Sequence, residues 1–140
     1  MKVSPYLAFN GNCAEALALY EKAFGVKAEM TAKYKEVPPS EGYAPAAGTE
    51  DFIMHTQFSL GDSTVFLCDT TPDEKCSFSN GMSVHVSFDS EASLKTAFGI
   101  LKDGGEVGME PAKTFWSNCF ATLEDKFGVS WMLSFEGCNE

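Results

Sequence analysis

Apolar and polar residues near the end of the chain alternate with a period of two, which is typical of a strand with one buried face. A turn is predicted before this strand at residues 125–128, where Gly128 is free to take a positive φ. The apolar set comprises Val129, Trp131, Leu133 and Phe135, and the opposite set comprises Ser130, Met132, Ser134 and Glu136.

Two other segments have the period of about 3.6 residues that indicates an amphipathic helix. For the first helix, Asn12 and Glu15 predict an N-cap with a capping box, and Gly25 predicts the end. Asp89 or Ser90 caps the second helix. The apolar positions are Ala16, Leu17, Tyr20, Ala23 and Phe24 in the first helix and Leu94, Ala97, Phe98 and Leu101 in the second.

The order strand, helix and three strands occurs twice along the chain. Strands are predicted at residues 3–9, 26–34, 52–60 and 63–68, and the second half opens with a strand at residues 83–88. A long loop runs from Lys35 to Asp51, and residues 69–81 connect the halves. The pattern predicts one domain, residues 1–140, made of two βαβββ halves at about residues 1–70 and 82–137.

Composition and charge narrow the classes of partner. The formal net charge of -10 repels phosphate backbones and anionic lipid heads, so we expect no nucleic-acid partner and no membrane partner. No apolar run has the length of a membrane span and no signal peptide is recognisable, so we expect a cytoplasmic protein. The five cysteines contain no C-x-x-C pair, which favours free thiols in a reducing compartment. They are Cys13, Cys68, Cys76, Cys119 and Cys138.

Short motifs along most of the chain identify a family. They are PYLAFNG at residues 5–11, IMH at 53–55 with LGD at 60–62, GGEV at 104–107, TFW at 114–116, and the closing hairpin with D-x-F-G-x-x-W-x-L from residue 125. In this order they resemble the PhnB-like proteins, a branch of the glyoxalase/bleomycin-resistance (vicinal oxygen chelate) superfamily. Ser117 and Ala121 stand where the family usually has glycine.

The resemblance implies an α+β fold of paired βαβββ modules, with curled mixed sheets around a cavity and helices outside. It also implies a homodimer, because relatives commonly dimerise. Some relatives are described as methyltransferases of the ubiquinone pathway, but this sequence has no glycine-rich strand-to-helix turn that would hold a methyl-donor nucleotide.

Both histidines lie on polar strand faces. In the third strand the apolar face has Phe52, Met54, Phe58 and Leu60, and the other face has Ile53, His55, Gln57 and Ser59. In the strand that opens the second half, Val84, Val86 and Phe88 oppose Ser83, His85 and Ser87. Periodicity alone fits both a solvent-facing sheet and a polar cavity wall. The resemblance favours the cavity, since that sheet face lines the site in the superfamily.

Metal-dependent members of the superfamily place a His or Glu on each of four strands. Carried over to this chain, those positions are Ser4 (or Pro5), His55, Ser83 and Met132, of which only His55 is a competent ligand. We therefore expect no cofactor at the inherited site. The alternative is a divalent metal held by a displaced set, His55, His85 and Glu136.

Two functions remain open after these observations. The first is a small-molecule-binding protein whose polar and aromatic cavity uses His55, Ser83, Trp116 and Met132, with His55 also the candidate catalytic base. Trp116 is either a core residue or a lid over the ligand. The second is a metal-dependent vicinal-oxygen-chelate enzyme of the lyase, isomerase or dioxygenase type, which requires the displaced ligands. The ligand itself is not identified by these residues.

Overall fold

The computed structural model describes residues 1–38 and 45–137. Cys138 and part of the predicted loop from Lys35 to Asp51 lie outside the described residues. The first half contains β1 (Tyr6–Phe9), α1 (Cys13–Phe24), β2 (Glu29–Lys33), a short 3-10 helix (Tyr34–Glu36), β3 (Ile53–Leu60) and β4 (Ser63–Asp69). The second half contains β5 (Val84–Ser87), α2 (Glu91–Leu101), β6 (Glu106–Ala112), β7 (Cys119–Glu124) and β8 (Ser130–Phe135).

Each half forms one mixed four-stranded sheet. The strand orders are β1-β4-β3-β2 and β5-β8-β7-β6. β1 runs parallel to β4 and β5 runs parallel to β8, whereas the other neighbours are antiparallel. The predicted α+β fold of paired βαβββ modules with mixed sheets is therefore confirmed. The chain divides into two compact units, residues 1–21 with 25–77, and residues 22–24 with those from 78 onward.

The start of α1 differs from the sequence prediction. The side chain of Asn12 makes no capping hydrogen bond, so the predicted capping box with Glu15 is wrong. The backbone N–H groups of Gly11 and Cys13 instead donate to Oδ1 of Asp69, each at 2.9 Å. A carboxylate at the end of β4 thus replaces the local cap, which sequence spacing alone does not reveal.

Asp69 also reaches other elements of the first unit. Its second oxygen, Oδ2, accepts the backbone N–H of Ile53 at 2.9 Å, at the start of β3. Its backbone carbonyl accepts the hydroxyl of Tyr34 at 2.7 Å. Because this carboxylate is buried, these bonds compensate for the water that it loses on folding.

Asp125 plays a similar part in the second unit. Oδ1 accepts the backbone N–H groups of Phe127 at 2.9 Å and Val129 at 3.1 Å, and Oδ2 accepts Nε1–H of Trp131 at 2.8 Å. Gly128 has a φ of 92°, which confirms the predicted turn between β7 and β8. The carboxylate therefore joins this turn to the core tryptophan of β8.

The helices bury the faces that their periodicity predicts. Tyr20 of α1 is buried, with its ring centroid 6.5 Å from that of Phe9 and 6.2 Å from that of Phe58. In the second unit α2 packs on β7 and β8, and Trp131 lies in the core as predicted. The Gly25 stop of α1 and the Ser90 cap of α2 are also confirmed. The buried positions of α2 are Leu94, Ala97, Phe98 and Leu101.

The beginning of β3 departs from simple alternation. Met54, which was predicted to lie on the apolar face, is 36% exposed, whereas Ile53 is only 4% exposed. β2 pairs with this part of β3 through two register shifts, on either side of Ala32. Such irregular pairing changes which side chains have neighbours, so the prediction for Met54 is wrong.

We expect Asp69→Asn to lower the free energy of unfolding by about 2–4 kcal/mol, because an amide cannot accept all three N–H bonds and leaves buried donors unsatisfied. Urea titration followed by circular dichroism measures the change. Asp73→Asn, at an exposed position, is the control and should change stability by less than about 0.5 kcal/mol. Equal effects of the two substitutions would contradict the role assigned to Asp69.

Candidate functional site

The face of the second sheet that points away from α2 is defined here as the polar face. The strand register places His85 beside Met132, and Met132 beside Thr122. The polar set predicted for β8, Ser130, Met132 and Ser134, lies on this face. Its members on β5, β7 and β8 and directly before β5 include Ser83, His85, Ser87, Phe120, Thr122, Glu124, Ser130, Met132 and Ser134.

A pocket of about 240 Å³ opens where the polar face meets β6. Ser83 and Met132, both predicted to contact a ligand, line it together. The other polar side chains in its wall are the hydroxyls of Thr122 and Ser130 and two carboxylates. Those carboxylates belong to Glu106 and Glu124, which sequence reasoning did not single out.

A glycine bulge in β6 shapes this pocket. Val107 pairs with Leu123 and Met109 pairs with Thr122, so Gly108 is an extra residue in β6. A Cβ atom at Gly108 would lie 2.5 Å from Oγ1 of Thr122, closer than packing allows. Glycine at this position therefore allows the hydroxyl of Thr122 to pack closely against the backbone of β6. An isolated glycine within a predicted strand is the sequence signal that could have indicated this position.

His85 is exposed and already has a hydrogen-bonding partner. Its Nε2 lies 2.9 Å from Oγ of Ser134, on the neighbouring strand. Because His85 is level with Met132, it is separated from Glu136 by four residues, roughly 13 Å along β8. These two members of the alternative metal set are too far apart to share an ion. Among residues 1–38 and 45–137, no three His, Cys, Asp or Glu side chains are grouped so that they could hold a metal.

His55 lies in the first unit, on the strand face opposite Thr56 and Phe58. Its Nδ1 is 3.5 Å from the hydroxyl of Tyr6, and its Nε2 is 3.5 Å from Oε1 of Gln57. The ring of Phe66 is 5.5 Å away, centroid to centroid. His55 is thus a partly exposed histidine in an aromatic and polar setting. Its contact with a ligand stays a prediction.

Trp116 lies outside the core. It is 53% exposed, and its ring meets that of Phe120 edge-on at a centroid distance of 5.5 Å. The ring of Phe115 stands at 85° to it, 4.7 Å away. Of the two interpretations of Trp116, the core position is wrong. These rings form an aromatic end beside the polar face, because Phe120 belongs to that face.

Burial makes the thiols of three cysteines poor nucleophiles. Burial raises the pKa of Cys13, Cys68 and Cys119 above the ordinary thiol value. A higher pKa keeps these thiols protonated at neutral pH, and the thiolate is the reactive form. None of the three therefore has the environment of an activated cysteine.

The architecture is that of a glyoxalase-like protein. A glyoxalase/bleomycin resistance protein/dioxygenase family enzyme of Burkholderia phytofirmans superposes with a TM-score of 0.60 at 12% identity, over 94% of this chain and 96% of that one. At that identity the likeness concerns the fold alone. The chain belongs to the PhnB-like family, whose sequence model is described as 3-demethylubiquinone-9 3-methyltransferase and matches residues 1–134.

Relatives with higher identity span nearly the whole chain. The protein PA1353 of Pseudomonas aeruginosa is 33% identical with a TM-score of 0.86, and 99% of each chain is covered. Protein YjdN of Escherichia coli K12 is 31% identical over 96% of this chain and 95% of its own length. A PhnB protein of Bacillus cereus is 27% identical with a TM-score of 0.77, over 96% of this chain and 99% of that one. The predicted family resemblance is confirmed.

Proposed function

We propose that this protein binds a small organic molecule in the pocket beside Gly108, without using the four-ligand metal site of its superfamily. The observation that carries the proposal is the pocket itself, a concave space between polar side chains at the bulge of β6. Ligand sites in proteins combine such a concavity with a few converging polar groups.

The size and borders of the pocket fit this role. A volume of about 240 Å³ lies just below the usual range for drug-sized ligands, which suits a small molecule or one part of a larger one. Phe120 on the same sheet, and Trp116 from the segment before β7, offer ring surface where a planar group could stack.

The residues at the inherited metal positions do not fit a divalent ion. Ser83 and Met132 line the pocket, and neither a neutral hydroxyl nor a thioether is a ligand that zinc or magnesium prefers. His55 alone leaves too few donors. We therefore derive no catalytic step through a metal, and we do not propose the metal-dependent enzyme.

Methyl transfer is not proposed either, although the family description names it. The turn from β1 to α1 is short, and its N–H groups at Gly11 and Cys13 are bonded to Asp69. They are not available to hold a cofactor at the start of the helix. The pocket lies on the face of a sheet and not at the start of a helix.

Two further properties belong to the same proposal. The outer strands β1, β2, β5 and β6 each have one sheet neighbour among the described residues, and pairing with a second copy would protect such edges. We therefore propose a homodimer. A cytoplasmic location is supported by the free thiols of the described cysteines. No helix of residues 1–38 and 45–137 has the length and apolar character of a membrane span.

Filling the pocket should abolish ligand binding. Ser83→Trp places a large ring in the pocket at an exposed position, so it should remove the binding of fragments that the wild-type protein binds in ligand-observed NMR. Ser87→Trp is the matched control, because Ser87 is exposed on the same strand and face but does not line the pocket. A screen without fragment binding, or equal loss in both variants, would refute the proposal.

The purified protein should hold no stoichiometric divalent metal, because one imidazole does not retain zinc or nickel through purification. Elemental analysis tests this directly. Added zinc, nickel, manganese or magnesium should leave the melting temperature unchanged, since only an ion that binds the native state raises it. A content of about one ion per chain that is lost in His55→Ala would favour the metal-dependent enzyme over the small-molecule-binding protein.

The chain should behave as a dimer in solution. Light scattering at micromolar concentration should give about twice the mass of one chain, since the open sheet edges favour pairing. A monomer stable under these conditions would contradict the proposed assembly and would leave the pocket proposal untouched.

A further inference from the structure

We propose that the molecule bound in this pocket is a cation, an amine whose ammonium group lies between Glu106 and Glu124. This inference rests on the proposed function, since it assigns a chemical class to the ligand of the same pocket.

The two carboxylates lie side by side in the wall of the pocket. Glu106 on β6 is paired directly with Glu124 on β7, and both line the pocket. Directly opposed residues on antiparallel strands have Cβ atoms about 4.5–5.5 Å apart, and like charges at such positions repel each other. A bound cation would relieve that repulsion, so the pocket offers it a favourable electrostatic environment.

Among the described residues, no lysine or arginine side chain is paired with the two pocket glutamates. The ion pairs formed by described residues join Lys35 to Asp51 and Lys95 to Glu91, so neither pocket glutamate is paired. No lysine or arginine lines the pocket. The ammonium group of Lys126, close in sequence, lies 5.2 Å from the ring centroid of Phe127.

Hydroxyl groups form part of the remaining wall of the pocket. An ammonium group donates up to three hydrogen bonds. The hydroxyls of Ser83, Thr122 and Ser130 all line the pocket and can act as acceptors. Glu106 and Glu124 thus share a concave wall with hydroxyl acceptors and with Gly108, whose missing side chain lets the hydroxyl of Thr122 approach the backbone closely.

The aromatic end formed by Phe120 and Trp116 lies beside the same sheet face. Phe120 and Glu124 lie on the same face of β7, four residues and roughly 13 Å apart. The ring of Trp116 contacts that of Phe120 edge-on. A ligand with an ammonium group between the glutamates could extend a flat apolar group along this face towards the ring of Phe120. We therefore expect arylalkylamines to bind better than aliphatic ammonium compounds.

Three probes of equal length and different charge test the inference: phenylbutylamine, phenylbutanol and phenylbutyrate. Isothermal titration at neutral pH and fixed ionic strength should show the amine binding about tenfold or more tightly than the alcohol, with the carboxylate weakest. Added salt should weaken the binding of the amine and leave the binding of the alcohol nearly unchanged.

Charge-removing variants locate the effect. Glu106→Gln and Glu124→Gln should each weaken the amine several-fold without weakening the alcohol, and both should keep or raise the melting temperature because they remove like-charge repulsion. Glu110→Gln, on the same strand but outside the pocket, should bind the amine as the wild type does.

The outcomes separate the two levels of the proposal. Equal binding of amine and alcohol, tighter binding of phenylbutyrate, or equal weakening by Glu110→Gln and Glu106→Gln would overturn the cation assignment while pocket binding stands. Loss of fragment binding by Ser83→Trp together with a preference for neutral fragments would do the same. Absence of binding by every probe and fragment would overturn both.

Discussion

The buried carboxylate of Asp69 is the interaction on which the first unit depends. It ends β4 and accepts N–H groups at the start of α1 and of β3, so one side chain fixes where two other elements begin. Hydrogen bonds to an ionised acceptor contribute about 1.5–3 kcal/mol each, and a buried carboxylate without them would destabilise the fold. Asp125 performs the corresponding task for the last turn and for Trp131, so each unit has one buried acid that ties a turn to its core.

This use of carboxylates has a consequence for function. The N–H groups at the start of α1 are satisfied internally, and the cap of α2 is satisfied by Ser90. The proposed binding site therefore uses side chains on a sheet and not the start of a helix. On the second sheet the alternation of residues leaves hydroxyls, a thioether and two acids on the polar face, and a pocket lies on that face at the bulge of Gly108. The inherited metal positions contribute Ser83 and Met132 to this wall, which suits contact with an organic molecule better than coordination of an ion.

Sequence patterns predicted the elements well where a residue's environment depends on its own period. The buried stripe of α2, the glycine stop of α1, the turn at Gly128 and the core position of Trp131 all follow from local spacing and are confirmed. The failures came where a distant residue intervened. Asp69 displaced the predicted capping box, and the register shifts between β2 and β3 exposed Met54 while Ile53 became buried.

By itself, the amino-acid sequence determined the family, the twice-repeated order of strand, helix and three strands, and the apolar face of each helix, because these depend on periodicity and short motifs. Only the tertiary structure decided that Glu106 is paired with Glu124, that Gly108 is an extra residue packed against Thr122, and that Trp116 lies outside the core. The physical reason is that these relations depend on strand register. A single extra residue changes which side chains become neighbours across a sheet, and the sequence of one strand does not contain the register of the next.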